Sequence, residues 1–101
     1  MTDINFQSGE RVFQWDSDKA KINKIKHNVS FKVAARVFED ENRIERPDYE
    51  HSQDEDRRQV IGKVDNVLFV IYTMRGDITS ARKATAKERE IYYGDSDLYF
   101  A

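Results

Sequence analysis

The chain of 101 residues has no cysteine, one proline and four glycines. Without cysteine there is no disulfide framework, no thiolate zinc site and no thiol nucleophile. A reducing, cytoplasmic setting fits. The glycines form no phosphate-cradling loop, and no serine sits in a nucleophile elbow. No apolar run approaches the length of a membrane span, and the N-terminus shows no charged-then-apolar leader pattern. A membrane association is therefore not expected. The chain also lacks the basic excess of an undirected nucleic-acid binder, since its net charge is −2.

Hydrophobic residues make up 39% of the chain, charged residues 36% and aromatics 12%. Clustered apolar residues and abundant aromatics argue against disorder. The length suits one domain with a modest core. Charge is segregated along the chain. Residues 19–38 hold six bases (Lys19, Lys21, Lys24, Lys26, Lys32 and Arg36) and no acid, whereas residues 39–56 hold nine acids against Arg43 and Arg46. A basic patch on an acidic protein is one reading. Solvated faces of ordinary elements are the other.

Periodicity orders the chain as strand, two helices, strand meander and helix. Residues 1–10 have no period and read as a loose lead-in. Arg11 to Trp15 reads as a strand. Asp16 caps a helix from Ser17 to His27, with Ile22 and Ile25 on the buried stripe. Ser30 caps a second helix from Phe31 to Phe38. A strand starts near Arg43 and stops at Pro47, and Asp48 to Asp56 reads as an acidic loop. Arg57 to Val64 and Val67 to Thr73 form a hairpin about an Asp65-Asn66 turn. The second of these strands is apolar on both faces, which predicts a central position. Ile78 to Lys83 is the last strand. Thr85 and Glu88 form a capping box for a helix from Ala86 to Tyr93, and Gly94 ends it. The fold class expected is α+β: a small antiparallel sheet with two N-terminal helices and one C-terminal helix packed on it. The domain spans residues 11–93, and 94–101 is a tail.

Three groupings are candidates for chemistry. Lys19, Asn23, Lys26 and His27 share one side of the first helix, beside its apolar stripe. Ammonium groups there can hold a phosphate, and an imidazole can move a proton near neutral pH. Equally, they form a solvated face with a cation suited to the helix C-terminus. Arg82 can fork two donors onto a phosphate, with Lys83 on the opposite face of its strand. An ion pair to a neighbouring element explains Arg82 as well. His51 lies in the acidic loop near Arg57 and Arg58. No metal-ligand spacing is present, so neither a metal nor any other cofactor is expected.

The run Phe13-Gln14-Trp15-Asp16-Ser17-Asp18-Lys19, followed by Asn23 and Lys26-His27-Asn28-Val29-Ser30-Phe31, resembles the opening of the BrnT family. Ala34, Phe38, Asp40, His51, the Arg57-Arg58 region, Gly62, Ser80-Ala81-Arg82-Lys83-Ala84-Thr85, Glu88-Arg89 and Tyr92 continue the likeness over residues 12–93. Asn28 stands where the family commonly has glycine, and both tolerate a left-handed backbone. The resemblance implies a RelE-like fold and a ribonuclease toxin of a type II toxin–antitoxin system. It implies an RNA substrate and a BrnA-type antitoxin, with DNA contacted only through the antitoxin complex.

On that basis the expected activity is metal-independent RNA cleavage by 2′-hydroxyl attack. His27, Lys26 and Arg82 are the catalytic candidates. Lys19, Asn23, Lys83 and His51 are the substrate-binding ones. The alternative is an inactive interaction module that holds an acidic partner in the same basic groove.

Overall fold

The computed structural model describes residues 3–50 and 56–94. Strands β1 (Asp3–Ser8) and β2 (Arg11–Asp16) form an antiparallel hairpin, with Ile4 opposite Trp15 and Phe6 opposite Phe13. Helix α1 (Ser17–His27) follows at once. Its first turn is capped by the Asp16 carboxylate, which accepts from the Asp18 amide at 2.8 Å. Asn28 closes α1 in the left-handed region, φ 58°. Helix α2 (Phe31–Ala35), capped by Ser30, runs into a 3-10 turn over Arg36–Glu39. Strands β3 (Ile44–Pro47), β4 (Arg57–Val64), β5 (Asn66–Thr73) and β6 (Ile78–Lys83) form one antiparallel sheet in that order. Helix α3 (Ala86–Tyr93) begins in the Thr85/Glu88 capping box, with both reciprocal hydrogen bonds made, and ends at Gly94. The fold is α+β, with antiparallel sheets and three helices.

Strand alternation gives the sheet two apolar faces, because successive side chains point to opposite sides. One face carries Val60, Leu68, Val70 and Ala81 against Phe13 and Trp15 of β2 and Phe31, Ala34 and Phe38 of the helical segment. The other carries Ile61, Val67, Phe69 and Ile71 against Ile91 and Tyr92 of α3. β5 lies between β4 and β6 and is buried on both faces, as its doubly apolar sequence predicts. Gly62 fits the first layer to the sheet. A Cβ there would lie 2.9 Å from the Val37 Cβ and 3.1 Å from its carbonyl oxygen.

Four expectations are corrected. The residues read as a lead-in include β1, whose alternating Ile4 and Phe6 pack on the core opposite Trp15 and Phe13. Ile22 and Ile25 are not on the buried stripe of α1; they are 63% and 86% exposed, and the buried residue is Asn23. Helix α2 is shorter than expected, because its last turn tightens to 3-10 geometry. The β4–β5 turn centres on Asp65 alone, with φ 61°, and Val64 faces Asn66. The hairpin register therefore shifts by one residue. Most of the expected tail, 95–101, lies outside the described residues.

Candidate active site

The shifted register places Arg58 of β4 directly opposite Tyr72 of β5. Glu45 of β3, opposite Val60, reaches the same group. The Tyr72 hydroxyl donates to Glu45 Oε1 at 2.6 Å. The Arg58 guanidinium, on the facing strand, interacts with the same hydroxyl. The second Glu45 oxygen accepts from Arg43 Nε at 2.9 Å and lies 4.0 Å from the guanidinium of Arg11. Arg11 stands over the Phe38 ring, 4.7 Å from its centroid, and Phe38 meets the Tyr72 ring edge-on at 4.8 Å. Packing thus fixes the tyrosine ring, and charge fixes its hydroxyl.

Arg11, Glu45, Arg58 and Tyr72 line a cleft of about 400 Å³ that also receives Arg75 and Gly76. Gly76 makes the cleft possible. Its φ is +102°, and a Cβ would lie 2.6 Å from the Val12 carbonyl oxygen. The Gln14 amide donates to the Gly76 carbonyl at 2.9 Å, so β2 crosses the β5–β6 turn at close range. Only glycine combines this backbone angle with this approach. A second cleft of about 340 Å³, lined by Asp16, Lys19, Arg57, Arg75 and Asp77 among others, shares Arg75 with the first. Arg75 also holds Asp77 through a 2.6 Å contact.

The electrostatics follow from these contacts. Burial alone would raise the Glu45 carboxyl, but the hydrogen bonds from Tyr72 and Arg43 and the nearby arginine charges outweigh it and hold the group below its ordinary value. Burial and the hydrogen bond to Glu45 push the Tyr72 hydroxyl up to about 12, against the opposing pull of Arg58. At neutral pH the pair is therefore a carboxylate accepting from a neutral phenol. Among the described residues, no group of three or more His, Asp or Glu side chains is placed to hold a metal ion.

The residues singled out from sequence divide between places. Lys19 lines the second cleft. The ammonium groups of Lys19, Lys26 and Lys83 have no ion-pair partner among the described residues. Asn23 holds structure instead of facing a ligand. Its amide nitrogen donates to the Val29 and Ala81 carbonyls at 3.0 and 2.9 Å, and its oxygen accepts from the Ala81 amide at 3.2 Å. It thereby satisfies the free edge of β6. His27 is half-buried on the last turn of α1.

Arg82 is turned away from α1. Its guanidinium lies 4.2 Å above the Phe69 ring on the α3 face and grips Glu88 through two hydrogen bonds of 2.7 and 3.0 Å. Ala20 of α1 packs into the opposite layer, so the structure does not bring the Arg82 guanidinium to His27. The ion pair weighed for Arg82 is the arrangement found. His51 lies outside the described residues.

Sequence reasoning missed Arg11, Glu45, Arg58 and Tyr72 as a group. A signal was present. Arg58 alternates with Val60, so a charge occupies a core-facing position of β4, and charges are rarely placed there without a partner.

The domain is thus α+β, with a cleft lined by Arg11, Arg58 and Arg75 around the paired Glu45 carboxylate and Tyr72 phenol. Residues 15–88 match the family described as "Ribonuclease toxin, BrnT, of type II toxin-antitoxin system", and the chain belongs to that family. Family membership of this kind implies an RNA target and a protein antitoxin. No curated protein matches the chain. No helix among the described residues is long and apolar enough to cross a membrane.

Proposed function

We propose that the chain cleaves RNA internally without a metal ion, in the cleft between β2 and the sheet, and that a co-encoded BrnA-type antitoxin neutralises it. The observation that carries this reading is the Arg58–Tyr72–Glu45 relay with Arg11 and Arg75 at the same cleft. Cleavage by the ribose 2′-hydroxyl needs a base, an acid for the leaving oxygen and cations for the charge on the phosphorane. Glu45 takes the 2′-hydroxyl proton as the oxygen bonds to phosphorus. Tyr72 gives its proton to the departing 5′-oxygen and recovers one from Glu45. The proton count balances, and the products are a 2′,3′-cyclic phosphate and a 5′-hydroxyl. Arg11, Arg58 and Arg75 hold the phosphate oxygens. Lys19 at the adjoining cleft, with Lys26 and Lys83, supplies outlying phosphate contacts. DNA is contacted only through the antitoxin complex.

The test is cleavage of RNA by the purified chain in EDTA, with the product ends identified. Tyr72→Phe keeps the ring and removes the hydroxyl. It and Glu45→Gln should each lower the cleavage rate by roughly 10²–10⁴-fold, with RNA binding much less affected. Full activity in both variants, together with loss in His27→Ala, would move proton transfer to the end of α1. A reaction stopped by EDTA would overturn the metal-independent mechanism.

A further inference from the structure

A third concavity lies between β1, α1 and α2, sharing Trp15 with the second cleft but opening on a different side of it. It is a groove of about 260 Å³ floored by Ile4, Trp15, Ala20 and Phe31, with Lys24 and Lys32 at its rim. No carboxylate lines it, and neither lysine has an ion-pair partner among the described residues. The adjoining outer side of α1 adds the exposed Lys21 and Ile25. At about 100° per residue, Lys24 occupies the opposite shoulder of α1 from Lys19 and Lys26. The groove and the second cleft therefore take opposite shoulders of α1, and the first cleft touches no residue of that helix.

We propose that this groove is the docking site for the antitoxin, occupied by an acidic amphipathic segment of that protein. The proposal rests on the toxin–antitoxin reading above. The chemistry selects the occupant. An apolar floor favours an aliphatic or aromatic side chain over a phosphodiester, since burying an unpaired phosphate charge is costly. Two ammonium groups at the rim with no carboxylate beside them favour carboxylates on the flanks of whatever enters. A segment that alternates apolar anchors with Asp or Glu meets both demands. Lys24 and Lys32 lie outside the relay, so their replacement leaves the cleft intact.

The experiment uses the full chain and the purified protein encoded by its adjoining reading frame. RNA cleavage is measured without that protein and then against rising amounts of it. The double variant Lys24→Glu/Lys32→Glu changes only exposed side chains and should cleave RNA at the wild-type rate. It should need at least about tenfold more antitoxin for half-inhibition, and raised salt should weaken inhibition of the wild type more than of the variant. A second variant, Ile4→Glu, should weaken inhibition in the same direction. Wild-type inhibition of the double variant would overturn the docking site. Loss of cleavage with unchanged binding of the adjoining protein would assign the groove to RNA and also overturn it. A wild-type chain that neither cleaves RNA nor binds the adjoining protein would sink the toxin reading itself, an outcome distinct from the other two.

Discussion

Asn23 carries more of the fold than its position on a lysine-rich helix suggests. A sheet edge presents unpaired backbone groups, and the edge strand β6 would leave the Ala81 amide and carbonyl bare beneath α1. One side-chain amide answers both and also ties down the Val29 carbonyl beyond the helix. Asn23→Ala should therefore destabilise the protein by about 1–3 kcal/mol, read as a lower urea midpoint at unchanged slope. A change below about 0.5 kcal/mol would mean that water replaces the amide without cost. From sequence, Asn23 looked like a ligand-facing polar residue among lysines. No pattern within one helix reveals that a strand 58 residues away needs its amide.

Among the elements, the best-read ones are those whose signals are local. The Asp16 cap, the Thr85/Glu88 box, the ends of β4 and β6, and the buried character of β5 all follow from neighbouring residues. α1 was placed correctly along the chain but turned about its axis. The stripe argument assumes that a helix docks by its largest apolar side chains. α1 instead docks by small Ala20 and polar Asn23, which leaves Ile22 and Ile25 outward. The β4–β5 hairpin shows how little error hides a site. A two-residue turn would set Arg58 opposite Thr73, whereas the turn on Asp65 sets it opposite Tyr72. Register depends on turn geometry, and one residue of slip changes every cross-strand pair. Gly62 gives an element-level prediction. Gly62→Ala forces a methyl group against Val37 where β4 meets the 3-10 turn, and should cost about 1–3 kcal/mol by thermal or urea unfolding. Ile25→Lys, on the outer side of α1, should stay within about 0.5 kcal/mol of wild type.

For the whole molecule, charge sets the limits of the stable pH range. In Asp40, Glu45, Asp77 and Glu88, burial works to raise the pKa, but hydrogen bonds and neighbouring positive charges outweigh it and lower all four from 3.8 or 4.5. A carboxyl depressed in the folded state contributes its stability fully above its unfolded value and loses it as pH falls through the folded value. Tyr72 and Tyr92 are shifted the other way, to about 12, by burial and by donation to Glu45 and Asp40. Their contribution is complete below the ordinary tyrosine value of 10.0 and is lost as pH rises toward 12. The unfolding midpoint should thus be flat across neutral pH, fall below about pH 4.5, and fall again above about pH 10. Tyr92→Phe should shrink the alkaline loss. A midpoint that declines steadily between about pH 5 and 8 would contradict this account.

The crossing of β2 over Gly76 also bears on the order in which the cleft can be completed. The cleft takes Arg11 from the first hairpin, Glu45 and Arg58 from the sheet, and Tyr72, Arg75 and Gly76 from the strand and turn that follow. No shorter stretch of chain contains the set. The cleft therefore cannot form before residue 76 has been made. It is complete only when the turn at Gly76 has emerged and the hairpin made at the start has closed over it.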